Sequence, residues 1–365
     1  MTATRSGRPS SEHVEAPANG IAAIKRASYR DIALYTTPKE HSAIDLSDNT
    51  NLWGAPPSAL RTLRATVEES VTRYPTAFKP ELSEALAAYA GVSPDMIVTG
   101  CGSDDVLDCA FRAFAEPGDV LCLPSPSFSM IPVFGRTNGL VPVEVPLAAR
   151  LDADAEAMIR TRARITYLCS PNNPTGEAFS RESVEQIVRQ AAGLVIIDQA
   201  YAEFGGESFI DLVSNGRPVL VTRTLSKAFG LAGLRIGYGI GSPEIVREIM
   251  KARGPYKVSG VADRAAIAVL ENDQPWVAEH VADVVANRAR FRKELAQRGI
   301  SSLPSAANFV LVPVEDCAGL DRALRRLGIG VRALPGLSGI GDAVRIGIGP
   351  WDLMERCLDA LGSVA

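Results

Sequence analysis

From about residue 55 the chain alternates two kinds of segment. "PSALRTLRATVEESV" and "PELSEALAAYAGV" space their apolar residues as amphipathic helices do, the second stopping at Gly91. "DMIVTG", "DVLCLP", "RITYLCS", "GLVIID" and "PVLVTR" are short, nearly continuous apolar runs, with helical patterns such as "VLDCAFRAFA" between most of them. Continuous apolar strands separated by helices predict a parallel sheet covered on both faces. This texture runs to about residue 240. Residues 242–300 then read as mainly helical, including the long "QPWVAEHVADVVANRARFRKELAQRG" that ends at Gly299. A strand "NFVLVPV", a helix "GLDRALRRLG", two short strands "GVRAL" and "AVRIGIG" and a last helix from "PWDLMERCLDALG" complete the pattern. The expected fold class is α/β. A large doubly wound, mostly parallel-sheet domain covers 46–255, and bridging helices with a smaller α+β domain cover 256–365. Residues 1–45 read as a flexible, polar tail and an N-terminal arm.

Composition narrows the function classes. The 365 residues suffice for two domains, and an apolar fraction of 46% with 22% charged residues is that of a soluble globular chain. A formal charge of −4 supplies no general polycation for nucleic acid or an acidic membrane. No signal-peptide-like stretch and no bilayer-length apolar window is present. The six cysteines form no CxxC pair and several lie in apolar runs, which suggests free thiols in the cytoplasm. The three histidines offer no metal-ligand spacing, so no metal is expected.

Four polar motifs fall at or just after strand ends, where open parallel sheets bind ligands. "GCGSDD" (100–105) opens a helix whose free N–H groups could cradle a phosphate; alone, it reads as easily as a glycine turn with an N-cap. "SPNNPTG" (170–176) is a tight loop that could present an Asn amide. Asp198 ends an apolar strand in "DQAYAEF", and a buried carboxylate there calls for a positive partner, either a protonated ring nitrogen or a protein cation. Lys227, in "TLSKAF", lies in small and apolar surroundings, where an amine held near neutrality becomes a Schiff-base nucleophile. Arg235 with the hydroxyls of Thr224 and Ser226 suits a phosphate. A carbonyl-reactive amine, an acid for a ring nitrogen and a phosphate cradle are the requirements of pyridoxal 5′-phosphate.

"SPNNPTG", "IIDQAYAEF" and "TLSKAFGLAGLRIGY", in this order, resemble the signature of class I/II aminotransferases, the fold type I pyridoxal-phosphate enzymes, and most of all the histidinol-phosphate aminotransferase-like branch. The resemblance covers roughly residues 30–362. It implies that Lys227 holds the cofactor and shuttles the α-proton, and that Asp198 pairs with the ring nitrogen. Asn173 and Tyr201 would bond the phenolic oxygen, and Phe128 would stack on the ring. Gly102, Ser103, Asp104, Thr224, Ser226 and Arg235 would hold the phosphate. Tyr74 would reach the phosphate of a neighbouring subunit, making the active unit a homodimer. Arg345, Arg332, Asn308, Trp53 and Tyr35 are the implied substrate residues, Tyr35 crossing from the partner. The branch usually reads Asn-Glu-Asn-Pro where this chain has Asn49, Thr50, Asn51 and Leu52, followed by Trp53, in a segment (46–56) expected to line the pocket. The implied function is a ping-pong aminotransferase between an L-amino acid, or a histidinol phosphate-like amine, and a 2-oxo acid. A guanidino or aromatic 2-oxo acid is an alternative substrate, and an oxidase, cyclase or decarboxylase is an alternative outcome on the same scaffold. A non-enzymatic regulator fits poorly, because Lys227 is present.

Overall fold

A strand buried on both faces needs helices above and below it, and the main sheet of this protein is built from such strands. The computed structural model describes residues 26–30, 32–34, 42–75, 80–214 and 216–364. Residues 1–35 and 36–365 are two units. In the first, a short 3-10 turn, Ala27–Tyr29, accompanies the Arg26 guanidinium 5.3 Å from the Tyr29 ring centroid. Tyr35 lies outside the described residues.

The second unit begins with a short strand, β1 (Ile44–Asp45). Its main sheet comprises β2 (Ile97–Cys101), β3 (Val120–Ser125), β4 (Val141–Pro146), β5 (Ile165–Cys169), β6 (Leu194–Asp198), β7 (Val219–Thr224) and β8 (Ile236–Gly241). The order across the sheet is β2-β8-β7-β6-β5-β3-β4. β8 runs antiparallel to both its neighbours, and every other pairing is parallel. The carboxyl ends of β2, β3, β5, β6 and β7 therefore share one edge. Every residue of β5, β6, β7 and β8 is buried, as the unbroken apolar runs require.

The hydrophobic pattern does not announce two of these strands. β4 is an edge strand with two prolines and an exposed Val141, so it lacks a continuous apolar run. β8 reads "IGYGIG", with glycine at every second position. Those glycines are steric necessities: a Cβ on Gly237 would land on the Ser103 amide, and one on Gly239 would press on Val106, Leu220 and Val98. The Ser103–Phe114 helix thereby lies close against β8. "PSALRTLRATVEESV" is likewise two helices, Pro57–Arg64 and Glu68–Thr72, rather than one. The break comes where the Thr66 amide turns back to the Leu63 carbonyl at 3.2 Å, ahead of the β-branched pair Thr66–Val67.

Serine oxygens cap the helices Arg181–Gln190, Pro243–Ala252 and Gly260–Asn272: Ser180 accepts from the Ser183 amide, Ser242 from Ile245 and Ser259 from Ala262. The long helix Gln274–Gln297 precedes Gly299, which takes φ 75° and turns the chain out of the helix. Beyond it, β9 (Phe309–Pro313), β11 (Arg332–Leu337) and β12 (Gly341–Gly347) form an antiparallel sheet in the order β11-β12-β9, while β10 (Ile329–Gly330) pairs in parallel with β1. Helices Cys317–Arg326 and Trp351–Val364 accompany this smaller sheet. Among the described residues no helix is long and apolar enough to cross a membrane.

Gly193 enters β6 with its α-carbon against the Arg164 carbonyl, where a Cβ would overlap the oxygen. Gly193→Ala is expected to cost about 2 kcal/mol in urea unfolding, since backbone on both sides resists relaxation; an unchanged midpoint would contradict this packing.

Candidate active site

Asp198 ends β6 with its carboxylate 3% exposed. Its Oδ2 accepts from the Tyr167 hydroxyl at 2.9 Å and its Oδ1 from the Ala200 amide at 3.1 Å. Burial pushes the carboxyl up to about 6, partly offset by the Tyr167 hydroxyl and the Ala200 amide, while Asp104 adds to the rise. Among the described residues no lysine or arginine forms an ion pair with it. The positive partner that a buried carboxylate calls for is thus not among the described lysines and arginines.

Lys227 follows β7, the neighbour of β6. Its Nζ donates to the Asp48 carbonyl at 2.9 Å. Burial pulls the ammonium down to about 8; Arg345 and Arg235 lower it further, and Asp48 and Asp104 oppose them. A lysine in this state keeps a sizeable neutral fraction near neutral pH, which makes it a nucleophile.

The Ser103–Phe114 helix starts on Gly102 (φ 81°), and its first N–H groups have no capping side chain. Arg235, itself left-handed at φ 54°, lies over Gly102 so closely that a Cβ there would strike its Nη2. The guanidinium reaches Asp104 Oδ2 at 3.6 Å and the Ala232 carbonyl at 3.3 Å, and both partners of the ion pair are close to half exposed. Thr224 Oγ1 accepts from the Ser226 amide at 3.1 Å, and both residues are buried. An uncapped helix start, a guanidinium and two hydroxyls are the donor set of a phosphate site.

In "SPNNPTG" the two asparagines differ. Asn172 is fully buried and ties its loop to the one after β3: Nδ2 donates to the Pro126 carbonyl and to Thr175 Oγ1 at 3.0 Å each, and Oδ1 accepts from Ser127 at 2.9 Å. Asn173 faces Arg345, whose Nη1 donates to its Oδ1 at 2.6 Å. Arg345 Nη2 donates to the Ser47 carbonyl at 2.6 Å, and the guanidinium lies 5.4 Å from the Phe309 ring. Tyr201 meets the same ring edge-on at 5.2 Å and accepts from Asn49 Nδ2 at 3.2 Å. Burial pushes the Tyr201 hydroxyl up to about 12, with Arg345 and Asn49 pulling it back. Asn308 Nδ2 donates to the Asn49 carbonyl at 2.9 Å. Asn49 Oδ1 and Asn308 Oδ1 are buried acceptors without a donor, places where a bound ligand could supply one.

Arg332 pairs directly with Arg345 across β11 and β12, so both side chains stand on one face of the small sheet. Phe128 is partly buried and packs against the hydrophobic cluster that includes Val106 and Ile131. Tyr74 is 83% exposed and stacks on Tyr256 at 4.9 Å. Trp53 stacks on His280 of the long helix at 5.8 Å.

Residues that the motifs leave out also shape the site. Tyr167 was detectable as a hydroxyl in an apolar strand, which has to find a partner. The Ser47 and Asp48 carbonyls left no signal, because a backbone oxygen has no residue identity.

Fold and site together define an α/β enzyme of the aminotransferase type. The chain matches the family described as Aminotransferase class I and II over residues 41–361 and belongs to it. The histidinol-phosphate aminotransferase of Thermoanaerobacter sp. (strain X514) is 33% identical over 312 residues, 84% of this chain and 88% of that protein. That of Ruegeria pomeroyi is 37% identical over 345 residues, 91% of this chain and 95% of that protein. Among solved structures, histidinol-phosphate aminotransferase from Sinorhizobium meliloti in complex with pyridoxal-5′-phosphate superposes with a TM-score of 0.84 at 28% identity, covering 94% of this chain and 97% of that one. The fold is that of the fold type I aminotransferases.

The depressed Lys227 amine gives a direct test. Reductive trapping of the cofactor-free protein by a small aldehyde should label Lys227 with a pH midpoint near 8. A midpoint at the ordinary lysine value, about 10.4, would contradict the burial described.

Proposed function

We propose that the chain is a pyridoxal 5′-phosphate-dependent aminotransferase, moving an amino group between an anionic amino donor and a 2-oxo acid in a ping-pong cycle. The observation that carries this reading is the buried Asp198 carboxylate, ion-paired with no cation among the described residues, at the sheet edge that also bears the Lys227 amine. The residues present fit the cofactor: the buried acid is ion-paired with no cation among the described residues, the helix start has no side-chain cap, and the amine is partly neutral. When bound, the cofactor supplies an electron sink for negative charge at the substrate α-carbon.

The chain's own groups then divide the work. Lys227 Nζ would be the covalent attachment point for the cofactor and would serve as the base that takes the substrate α-proton and returns it. Asp198 holds a proton on the ring nitrogen, and that pairing brings its raised carboxyl back down. Tyr201 and Asn173 donate to the phenolic oxygen, and Phe128 covers the ring face. Gly102, Ser103, Asp104, Thr224, Ser226 and Arg235 hold the phosphate through N–H groups, hydroxyls and the guanidinium.

For the substrate, Arg345 and Arg332 grip an anionic group. A guanidinium's planar fork fits the oxygens of a carboxylate or a phosphate. Asn308 lies beside them, tied to the Asn49 carbonyl. A carboxylate or a phosphate satisfies the pair, so an L-amino acid or a histidinol phosphate-like amine is the proposed donor; the relatives' names favour the latter. The exposed Tyr74–Tyr256 stack, with exposed Val67 and Val71 on the preceding helix and turn, suits a homodimer in which Tyr74 reaches the neighbouring site. Six free thiols support a cytoplasmic location.

Purified protein should show visible absorbance from lysine-linked cofactor, and Lys227→Ala should lose the covalent linkage. If the wild type binds no pyridoxal phosphate, the reading fails. A half-reaction screen over the amino acids and histidinol phosphate should bleach the band with anionic donors and yield the pyridoxamine form. Oxygen uptake or carbon dioxide release instead would favour an oxidase or decarboxylase. Arg345→Lys should raise KM for the best donor about tenfold or more, because one ammonium does not replace a planar fork.

A further inference from the structure

Residues 47–54 have no helix or strand of their own, yet Ser47, Asp48, Asn49 and Asn51 touch the site. The Ser47 carbonyl accepts from Arg345, the Asp48 carbonyl from Lys227 and the Asn49 carbonyl from Asn308, while Asn49 Nδ2 donates to Tyr201. Asn51 Nδ2 donates to the carbonyl of Ala228, the neighbour of Lys227, at 3.2 Å. The segment is a strap. It is anchored upstream by the β1–β10 pairing and downstream by Ser58, which bonds Asp273 through both its amide and its hydroxyl.

Between those anchors the large Trp53 side chain packs on the long helix. The Trp53 ring lies nearly parallel to His280, at 22° and 5.8 Å between centroids. His280 is held in place by its own helix. Trp276, one turn earlier, meets the ring edge-on at 4.3 Å, and Asp283 Oδ2, three residues later, lies 3.4 Å from Nδ1. The imidazole is thus a fixed plate before Trp53 arrives. Trp53 transmits the anchor inward, since its amide donates to Asn51 Oδ1 at 2.9 Å and the same Asn51 ties to Ala228.

We propose that His280 is a positioning residue of the active site: its stack with Trp53 holds the strap in register, so that Asn49 and Asp48 stay on Tyr201 and Lys227. This rests on the reading of Lys227 as the cofactor's attachment point. Trp53 on this account acts on the chemistry through the strap and not as a substrate contact. Releasing the stack weakens the Asn49 donation to the Tyr201 oxygen. A Tyr201 hydroxyl without that donation is a poorer donor to its own acceptor, the cofactor's phenolic oxygen.

The test compares holoenzymes of the wild type, His280→Ala, His280→Phe, Trp53→Leu and the Trp53→Leu/His280→Ala double variant. The readout is the pH titration of the cofactor's visible band, with melting temperatures recorded alongside. His280→Ala should move the midpoint upward by about half a pH unit or more, roughly a threefold change in proton affinity. His280→Phe, which keeps a flat ring for Trp53, should restore it. Trp53→Leu should match His280→Ala, and the double variant should add nothing further. A midpoint unchanged in His280→Ala despite a lower melting temperature means a merely structural role and overturns the proposal. Additive shifts in the double variant, or a Phe variant that behaves as Ala does, also overturn it. If the wild type itself has no visible band, the failure lies with the assignment of Lys227 and not with His280.

Discussion

A carboxylate buried at the end of a β-strand, ion-paired with no lysine or arginine among the described residues, is the constraint from which the rest of this site follows. Asp198 keeps partial ionisation because Tyr167 and the Ala200 amide donate to it, yet burial still lifts the carboxyl to about 6. An ionised group in that position is stabilised by whatever cation arrives. One strand away, Lys227 is destabilised as a cation by burial and by Arg345 and Arg235. An acid pushed up and an amine pushed down at one sheet edge are both held away from their resting states by the same fold. A ligand carrying a protonated ring nitrogen and a carbonyl relieves both.

The backbone packing serves the same end. Glycine at alternate positions of β8 lets the Ser103–Phe114 helix approach the sheet until its first amides press on Gly237. That approach puts an uncapped helix start beside Thr224 and Ser226, and Arg235 closes over Gly102 from the turn before β8. The antiparallel direction of β8 is part of this arrangement, because the strand begins at the edge where its neighbours end. Opposite, the 47–54 strap lends backbone carbonyls to Arg345 and Lys227, so the substrate side of the site depends on where a loop is held.

The parts that were legible in the sequence are those where chemistry demands a particular side chain at a strand end. "GLVIID" running into Asp198, "TLSKAF" bearing Lys227 and "GCGSDD" opening a helix are visible because apolar runs terminate abruptly in polar groups, and the structure brings these three together. The mostly parallel sheet was legible for the same reason. β4 and β8 were not, since prolines at an edge and alternating glycines erase the apolar run. The break at Ala65–Val67 was hidden because the helical spacing continues across it. The contributions of Ser47 and Asp48 were invisible because they are made by carbonyls. Tyr167 depends on strand register: Cys169 lies opposite Asp198, and the hydroxyl two residues back reaches across to the carboxylate. His280 carried no signal, because its partner Trp53 is more than two hundred residues away in the chain.

The central claim is that Asp198 exists to keep a ring nitrogen protonated. The most direct measurement is the nitrogen-15 chemical shift of ring-labelled pyridoxal 5′-phosphate bound to the wild type and to Asp198→Asn. The account predicts a protonated pyridinium in the wild type across neutral pH and a deprotonated ring in Asp198→Asn. A deprotonated ring nitrogen in the wild type would contradict it.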